Sequence, residues 1–271
     1  MKIYKASLII MIILGIVFIG KSDHVQNLYK NSASIVTGLK IDDKDKNSSK
    51  EQSTNEKEEK KSQKYLICID PGHQAKGDWK SEPIGPGSSY QKARVSSGTV
   101  GISTKKPEYV LNLEASEILK HILMSKGFEV IMTRETHDIN ISNMERATFA
   151  NDNNANMVIR IHADGSDNTS ITGASLLVPS QKGKYTSSIF EASYECADLI
   201  KNKMDNGGFK INGVFERDDL TGFNWSKVPV VLVEMGFMSN YNEDEMMSNK
   251  EYQKKMMQSI ADGVEDYFQA N

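Results

Sequence analysis

Cysteine is nearly absent: Cys68 and Cys196 are the only two in 271 residues, too few for a disulfide framework to carry the fold. Cys68 stands inside an apolar run and is expected as a small buried residue rather than a reactive thiol. An excess of one charge is also missing. Thirty-three basic side chains against 36 acidic ones leave a net charge of −3, so composition gives no electrostatic reason to expect a nucleic-acid partner. No internal repeat is visible, and no Gly-rich phosphate loop opens a helix. The longest apolar run, Ala6 to Gly20, falls short of the roughly 20 residues of a comfortable membrane span.

That run nevertheless has a character of its own. Lys2 and Lys5 precede it, and Lys21 and Asp23 close it, which matches the basic and apolar regions of an export signal. Neither a small-x-small cleavage site nor a cysteine for lipid attachment follows Gly20. Residues 1–24 are therefore expected to act as a signal peptide or a short uncleaved membrane anchor, which places the rest outside the cytoplasm. Between Lys40 and Gln63 there is one aliphatic residue among mixed charges. Such a stretch cannot bury enough surface to offset its ordering entropy, so residues 25–63 are expected as a flexible linker. Its balanced signs do not favour a polybasic lipid-binding patch.

Residues 64–271 have the length of one domain. Tyr65–Asp70 reads as a strand buried on both faces, ended by Pro71-Gly72. A long polar loop to about Lys106 follows it. Pro107–Lys126 carries a helical apolar stripe, with proline at its first turn and Gly127 at its stop. Phe128–Thr133 is a strand candidate, and Ser142 with Glu145 forms a capping-box signature for a helix to about Asn154. Short apolar runs at Met157–Ile161, Ala174–Val178 and Val228–Val233 read as further strands, and Ser187–Asp205 and Asn249–Phe268 as amphipathic helices. Strands alternating with helices predict an α/β fold: a single domain with a twisted, mostly parallel sheet flanked by helices.

Three of these strands run into residues with chemistry: His73, His162 and Glu234. In a parallel sheet all three converge on the carboxyl edge, where ligands bind in open α/β sheets. Hydrolase zinc sites commonly use two histidines and a carboxylate with one position left for water, and a separate carboxylate takes the proton. Glu108, at the start of the helix after the long loop, is the natural third ligand, although an acid in a first helical turn also serves the helix dipole. An acid directly after the apolar run Val228–Val233 is costly unless paired or solvated, and costly placements tend to be functional. His121, His137 and His24 are expected outside the site.

The segments Asp70-Pro71-Gly72-His73, Glu108 before Asn112-Leu113, Ile161-His162-Ala163-Asp164 and Glu234-Met235-Gly236-Phe237-Met238-Ser239-Asn240, in this order, resemble the zinc-dependent N-acetylmuramoyl-L-alanine amidases of the amidase 3 type. Thr133-Arg134, Arg146 before Ala150-Asn151 and Asp219-Leu220 also fall in that family's order. The resemblance implies one Zn2+ per chain, held by His73, Glu108 and His162, with Glu234 as the catalytic glutamate and peptidoglycan as substrate. Two departures stand out. The charged pair that usually follows the glutamate is absent after Glu108, and Arg160 occupies a position, two before the second histidine, where a small residue is usual.

A narrower likeness lies in Gln74, Glu82-Pro83-Ile84-Gly85-Pro86-Gly87 and Asp219–Trp225, which are similar to the CwlD-type amidases of spore formers. It implies action on cortex peptidoglycan in making muramic-δ-lactam, in the space between forespore and mother cell membranes, with a sporulation lipoprotein as a partner for zinc loading. Arg217, Asn224 and Trp225 are expected substrate contacts, though a structured loop with Trp225 packed on the core fits equally. The rival readings are a zinc carboxypeptidase or endopeptidase on stem peptides, and a non-catalytic wall-binding or assembly protein.

Overall fold

Residues 65–271 are described by the computed structural model, so the leader expected at 1–24 and the linker at 25–63 lie outside the described residues. The first strand, β1 (Leu66–Pro71), is buried from Ile67 onward, as its unbroken apolar sequence predicts. It lies between β4 (Glu129–Met132) and β5 (Met157–Asp164), parallel to both. β8 (Val230–Phe237) extends the parallel set beyond β5. β6 (Ala174–Pro179) then runs antiparallel to β8, and β7 (Ile211–Arg217) closes the six-stranded sheet parallel to β6. The sheet is mostly parallel, as expected, with one reversal at the β8–β6 pairing.

Period-2 alternation distributes the side chains of the central strands between two cores. Ile67, Ile69, Ile159, Ile161, Val231 and Val233 face one layer, built from α1 (Glu108–Ser125), α3 (Phe190–Asn206) and α6 (Lys250–Ala270) through Leu111, Leu119, Ile200, Met204, Ile260 and Val264. Cys68, Val158, Val230 and Leu232 face the other, where α2 (Asn143–Asp152) supplies Ala150 and the short α4 (Thr221–Asn224) supplies Phe223. Cys68 and Cys196 are both free and buried.

Helix boundaries follow their caps. The Ser142 hydroxyl accepts from the Glu145 amide while the Glu145 carboxylate accepts from the Ser142 amide, the reciprocal box that starts α2. Asn240 and Asn249 cap α5 (Tyr241–Ser248) and α6. Pro107 precedes α1 in extended conformation, leaving Glu108 as its first helical residue.

The segment expected as one long polar loop contains a hairpin. β2 (Asp78–Pro83) and β3 (Gln91–Val95) pair antiparallel, apart from the main sheet. Its residues are largely solvent-exposed, Trp79 at 75%, so no apolar run marks it. β7 was not foreseen either. It is an edge strand of half-exposed residues containing Gly213, and such a strand lacks the buried periodicity that sequence reading depends on. No described helix is long and apolar enough to cross a membrane.

Candidate active site

β1, β5 and β8 are parallel neighbours, so their carboxyl ends open on one edge of the sheet, and His162 and Glu234 lie directly opposite one another in the β5–β8 register. His73 stands two residues past the end of β1 in left-handed conformation, φ 60°. Glu108 reaches the same point from the first turn of α1. Its Oε1 lies 3.1 Å from His73 Nε2 and 3.3 Å from His162 Nδ1. The ligand atoms of these three residues fall within 4.8 Å of one another.

Each of the three is held by further contacts. His73 Nδ1 lies 3.0 Å from both the backbone oxygen and the hydroxyl of Ser96, on the turn after β3. Glu108 accepts from the Asn112 side chain, one helical turn on, and from the backbone amides of Thr99 and Ala163. The packing leaves no room to spare. A Cβ on Gly72 would lie 2.2 Å from the His162 ring, and one on Gly98, at φ +80°, would lie 2.4 Å from Glu108 Oε2.

The electrostatics sort the protonation states. Burial would raise the Glu108 carboxyl, but hydrogen bonds from His162 and His73 outweigh it and hold the group well below the usual carboxylate range. Burial lowers His162 to about 4, so its imidazole is neutral at physiological pH. Glu234 moves the other way. Burial, then the charges of Glu108 and Asp164, raise it well above the ordinary value. Among the buried side-chain atoms without a hydrogen-bond partner here are His162 Nε2 and Glu234 Oε2.

Two neutral-capable imidazoles and one ionised carboxylate are the donor set of a divalent transition-type cation. Their convergence, and the unpartnered nitrogen on His162, fit such an ion. The open side is a cavity of about 660 Å³ lined by the three donors, Glu234, Asp164, Asp167 and Ser239, among others.

Beneath the site lies a layer that sequence reading did not resolve. Asp70 is 2% exposed and takes 2.8 Å bonds from Arg146 Nη1 and Arg160 Nε, with the Thr133 hydroxyl as a third donor. Arg146 also donates to the carbonyls of Pro71 and His73, and Arg134 to those of Pro71, Gly72 and Tyr109. These bonds pin the turn that carries His73. The available signal was an acid at the end of a buried strand, which requires a buried cation.

Of the expected substrate contacts, the structure brings Arg217 towards the site and not the other two. Arg217 lines a smaller hollow shared with Glu234 and His162. The buried Asn224 amide donates to the Asp218 carbonyl, and the Trp225 indole to the Pro83 carbonyl. Their polar groups are spent on holding the 216–225 turn and the hairpin together, the structured-loop outcome. Arg160, the departure from pattern, shares the sheet face of His162 and lines the same hollow.

Residues 67–266 match the family described as N-acetylmuramoyl-L-alanine amidase. The chain is 24% identical over 249 residues to N-acetylmuramoyl-L-alanine amidase AmiA of Escherichia coli, covering 78% of this chain and 79% of that protein. It is similar in fold to the crystal structure of the N-acetylmuramyl-L-alanine amidase Ami1 from Mycobacterium smegmatis, with a TM-score of 0.69, 24% identity, and coverage of 76% of this chain and 98% of that one. It is also similar to the CwlD amidase from Clostridioides difficile, solved in complex with the GerS lipoprotein, at a TM-score of 0.58, 23% identity, and coverage of 76% and 100%.

Proposed function

The chain belongs to the N-acetylmuramoyl-L-alanine amidase family, and on that premise we propose that it is a zinc enzyme cleaving the amide between the lactyl group of N-acetylmuramic acid and the L-alanine of the stem peptide, with Glu234 as its proton carrier. The observation that carries this reading is the convergence of His73, Glu108 and His162 within 4.8 Å beside a buried, unpartnered Glu234 oxygen. His73, Glu108 and His162 would hold Zn2+, whose chemistry when bound would be polarisation of the scissile carbonyl and acidification of water.

The chain's own residues supply the rest. His162 is neutral and Glu108 ionised before any ion arrives, so neither must be deprotonated on loading. Asn112 and the Thr99 and Ala163 amides fix the Glu108 carboxylate, and Ser96 fixes the His73 ring. Glu234 Oε2 stands free of protein partners, and burial favours its protonated form. In its ionised form such a carboxylate can take a proton from water, and its raised proton affinity lets it hold that proton until it is returned to the leaving L-alanine nitrogen. Glu234→Gln keeps the three donors and removes the carrier. Loss of a proton carrier costs about 10²–10⁴ in rate. The variant is expected to bind zinc as the parent does while losing stem-peptide release from peptidoglycan by that factor. Release at the parental rate would sink the assignment.

Product mass on defined muropeptides separates this reaction from carboxypeptidase or endopeptidase cleavage, since an amidase releases whole stems. The relatives named cell-wall or muramoyl amidases support action outside the cytoplasm, and the basic, apolar start of the chain supports export or anchoring. The CwlD-like loops, and the similarity to an amidase solved with a lipoprotein, support a spore-cortex role with a lipoprotein partner for zinc loading. Equal zinc affinity with and without such a partner would remove the partner from the proposal.

A further inference from the structure

We infer that the hollow beside Glu234 is a carboxylate-recognition subsite that selects stem peptides whose second residue, a γ-linked D-glutamate, keeps its α-carboxylate free; the inference rests on the amidase reading above. The hollow measures about 250 Å³ and is lined by Lys92, Arg160 and Arg217 together with Thr221, Gly222 and Glu234. Three cations from three separate elements, β3, β5 and β7, meet there. Their nearest acids are shared. Asp219 serves both Arg217, through 2.7 and 2.9 Å bonds, and Lys92, at 3.7 Å, while Asp70 serves both Arg160 and Arg146. Asp70 and Asp219 thus serve four cations between them, and Glu234, in the same lining at the junction with the reacting centre, is the third acid near Arg160 and Arg217.

The guanidinium groups also keep free donors. Arg217 spends Nε and Nη2 on Asp219, and Arg160 spends Nε and Nη2 on Asp70 and Asn143. Neither Nη1 has a hydrogen-bond partner among the described residues. Arg160 is 5% exposed, so its position is fixed by the fold. Gly222 lets the guanidinium pack against it, since a Cβ there would lie 2.0 Å from Arg160 Nη1. A carboxylate entering the hollow meets fixed, surplus positive charge, the arrangement that favours charge-assisted pairing.

Substrate chemistry then fixes which carboxylate. In the intact substrate the lactyl carboxyl is tied up in the scissile amide, so every carboxylate belongs to the stem. The hollow therefore marks the leaving-peptide side. The hollow adjoins the larger cavity directly, the two sharing His73, His162 and Glu234 in their linings. Two residues of extended peptide span at most about 7 Å, which brings the α-carboxylate of the second stem residue, and not a terminal D-alanine, into range. The larger cavity, with Asp164 and Asp167, repels that group.

The test compares MurNAc-L-Ala-D-Glu with its α-amidated form, MurNAc-L-Ala-D-isoglutamine, each capped at the γ-carboxyl as the methylamide, on the zinc-loaded protein, and the two free dipeptides with the same cap by calorimetry. The acid substrate is expected to have at least a tenfold higher kcat/KM, carried by KM, and the acid dipeptide to bind tighter by a similar factor. In Arg217→Gln and in Arg160→Met both ratios should fall towards one. Arg217 is at the surface and its loss leaves the buried arginines intact, so that variant keeps the test open if Arg160→Met fails to fold. Equal KM and equal binding for acid and amide in the parent protein overturn the inference, as do ratios unchanged in Arg217→Gln. If neither substrate is cleaved but the acid dipeptide still binds preferentially, the hydrolytic reading fails and the subsite stands.

Discussion

Glycine decides how tightly the site closes, and two glycines with the same backbone habit show why. Gly98 and Gly87 both adopt the left-handed region, at φ +80° and +71°. A Cβ on Gly87 would meet nothing within 4 Å, whereas one on Gly98 would press on Glu108 Oε2 at 2.4 Å and on the His73 ring at 2.9 Å. Gly87→Ala should cost only the backbone strain of a left-handed alanine, about 1–2 kcal/mol, and leave zinc binding intact. Gly98→Ala carries the same strain and must also displace Glu108 and His73, two of the three proposed metal donors. A loss of zinc affinity of tenfold or more in Gly98→Ala, with none in Gly87→Ala, is expected in competition titrations against a chelator. Matching affinities in the two variants would show that the donors move freely.

At the scale of elements, the caps that sequence reveals have consequences for the site. Ser142 starts α2, and one turn inward Arg146 leaves that helix to bond Asp70 and the carbonyls of Pro71 and His73. Ser142→Ala removes the hydroxyl half of the box, a change worth about 1 kcal/mol. For a domain of this size that corresponds to a fall in Tm of roughly 2–4 °C, readable by calorimetry. An unchanged Tm would mean that tertiary contacts alone hold the helix start. The elements legible in sequence were those with such signals: the buried runs of β1, β5 and β8, the capping box of α2, and the stripes of α1 and α6. His73, His162 and Glu234 stand out in the sequence because each follows one of those runs, and Glu108 because it opens the helix that Pro107 introduces. The β2–β3 hairpin and β7 were not, since their exposed residues carry no burial periodicity. For Asn224 and Trp225 the sequence leaves substrate contact and a structured loop equally open. Sequence does not reveal that their donors are consumed by Asp218 and Pro83.

Over the whole molecule, the buried Asp70 carboxylate is one of the groups on which acid stability depends. Asp70 joins β1 to α2 and β5 through Arg146 and Arg160, all three nearly fully buried. Burial would raise its pKa, yet the two guanidinium groups outweigh that and hold it far below the usual range. A folded-state pKa depressed in this way gives stability that is fully present above the unfolded value near 4, and lost as pH falls below it. The unfolded chain then takes up a proton that the folded one refuses, and this group alone contributes about 1.4 kcal/mol of lost stability per pH unit. Asp70→Asn removes that slope, and it leaves two buried guanidinium groups without their carboxylate, costing about 3–5 kcal/mol at neutral pH. Urea titrations of the chelator-treated protein at pH 7 and between pH 4 and 3 read both effects. The variant should be less stable at pH 7 and lose less than the parent on acidification. Parallel acid limbs in the two proteins would place the acid sensitivity in other groups and deny Asp70 its part in holding the turn beneath His73.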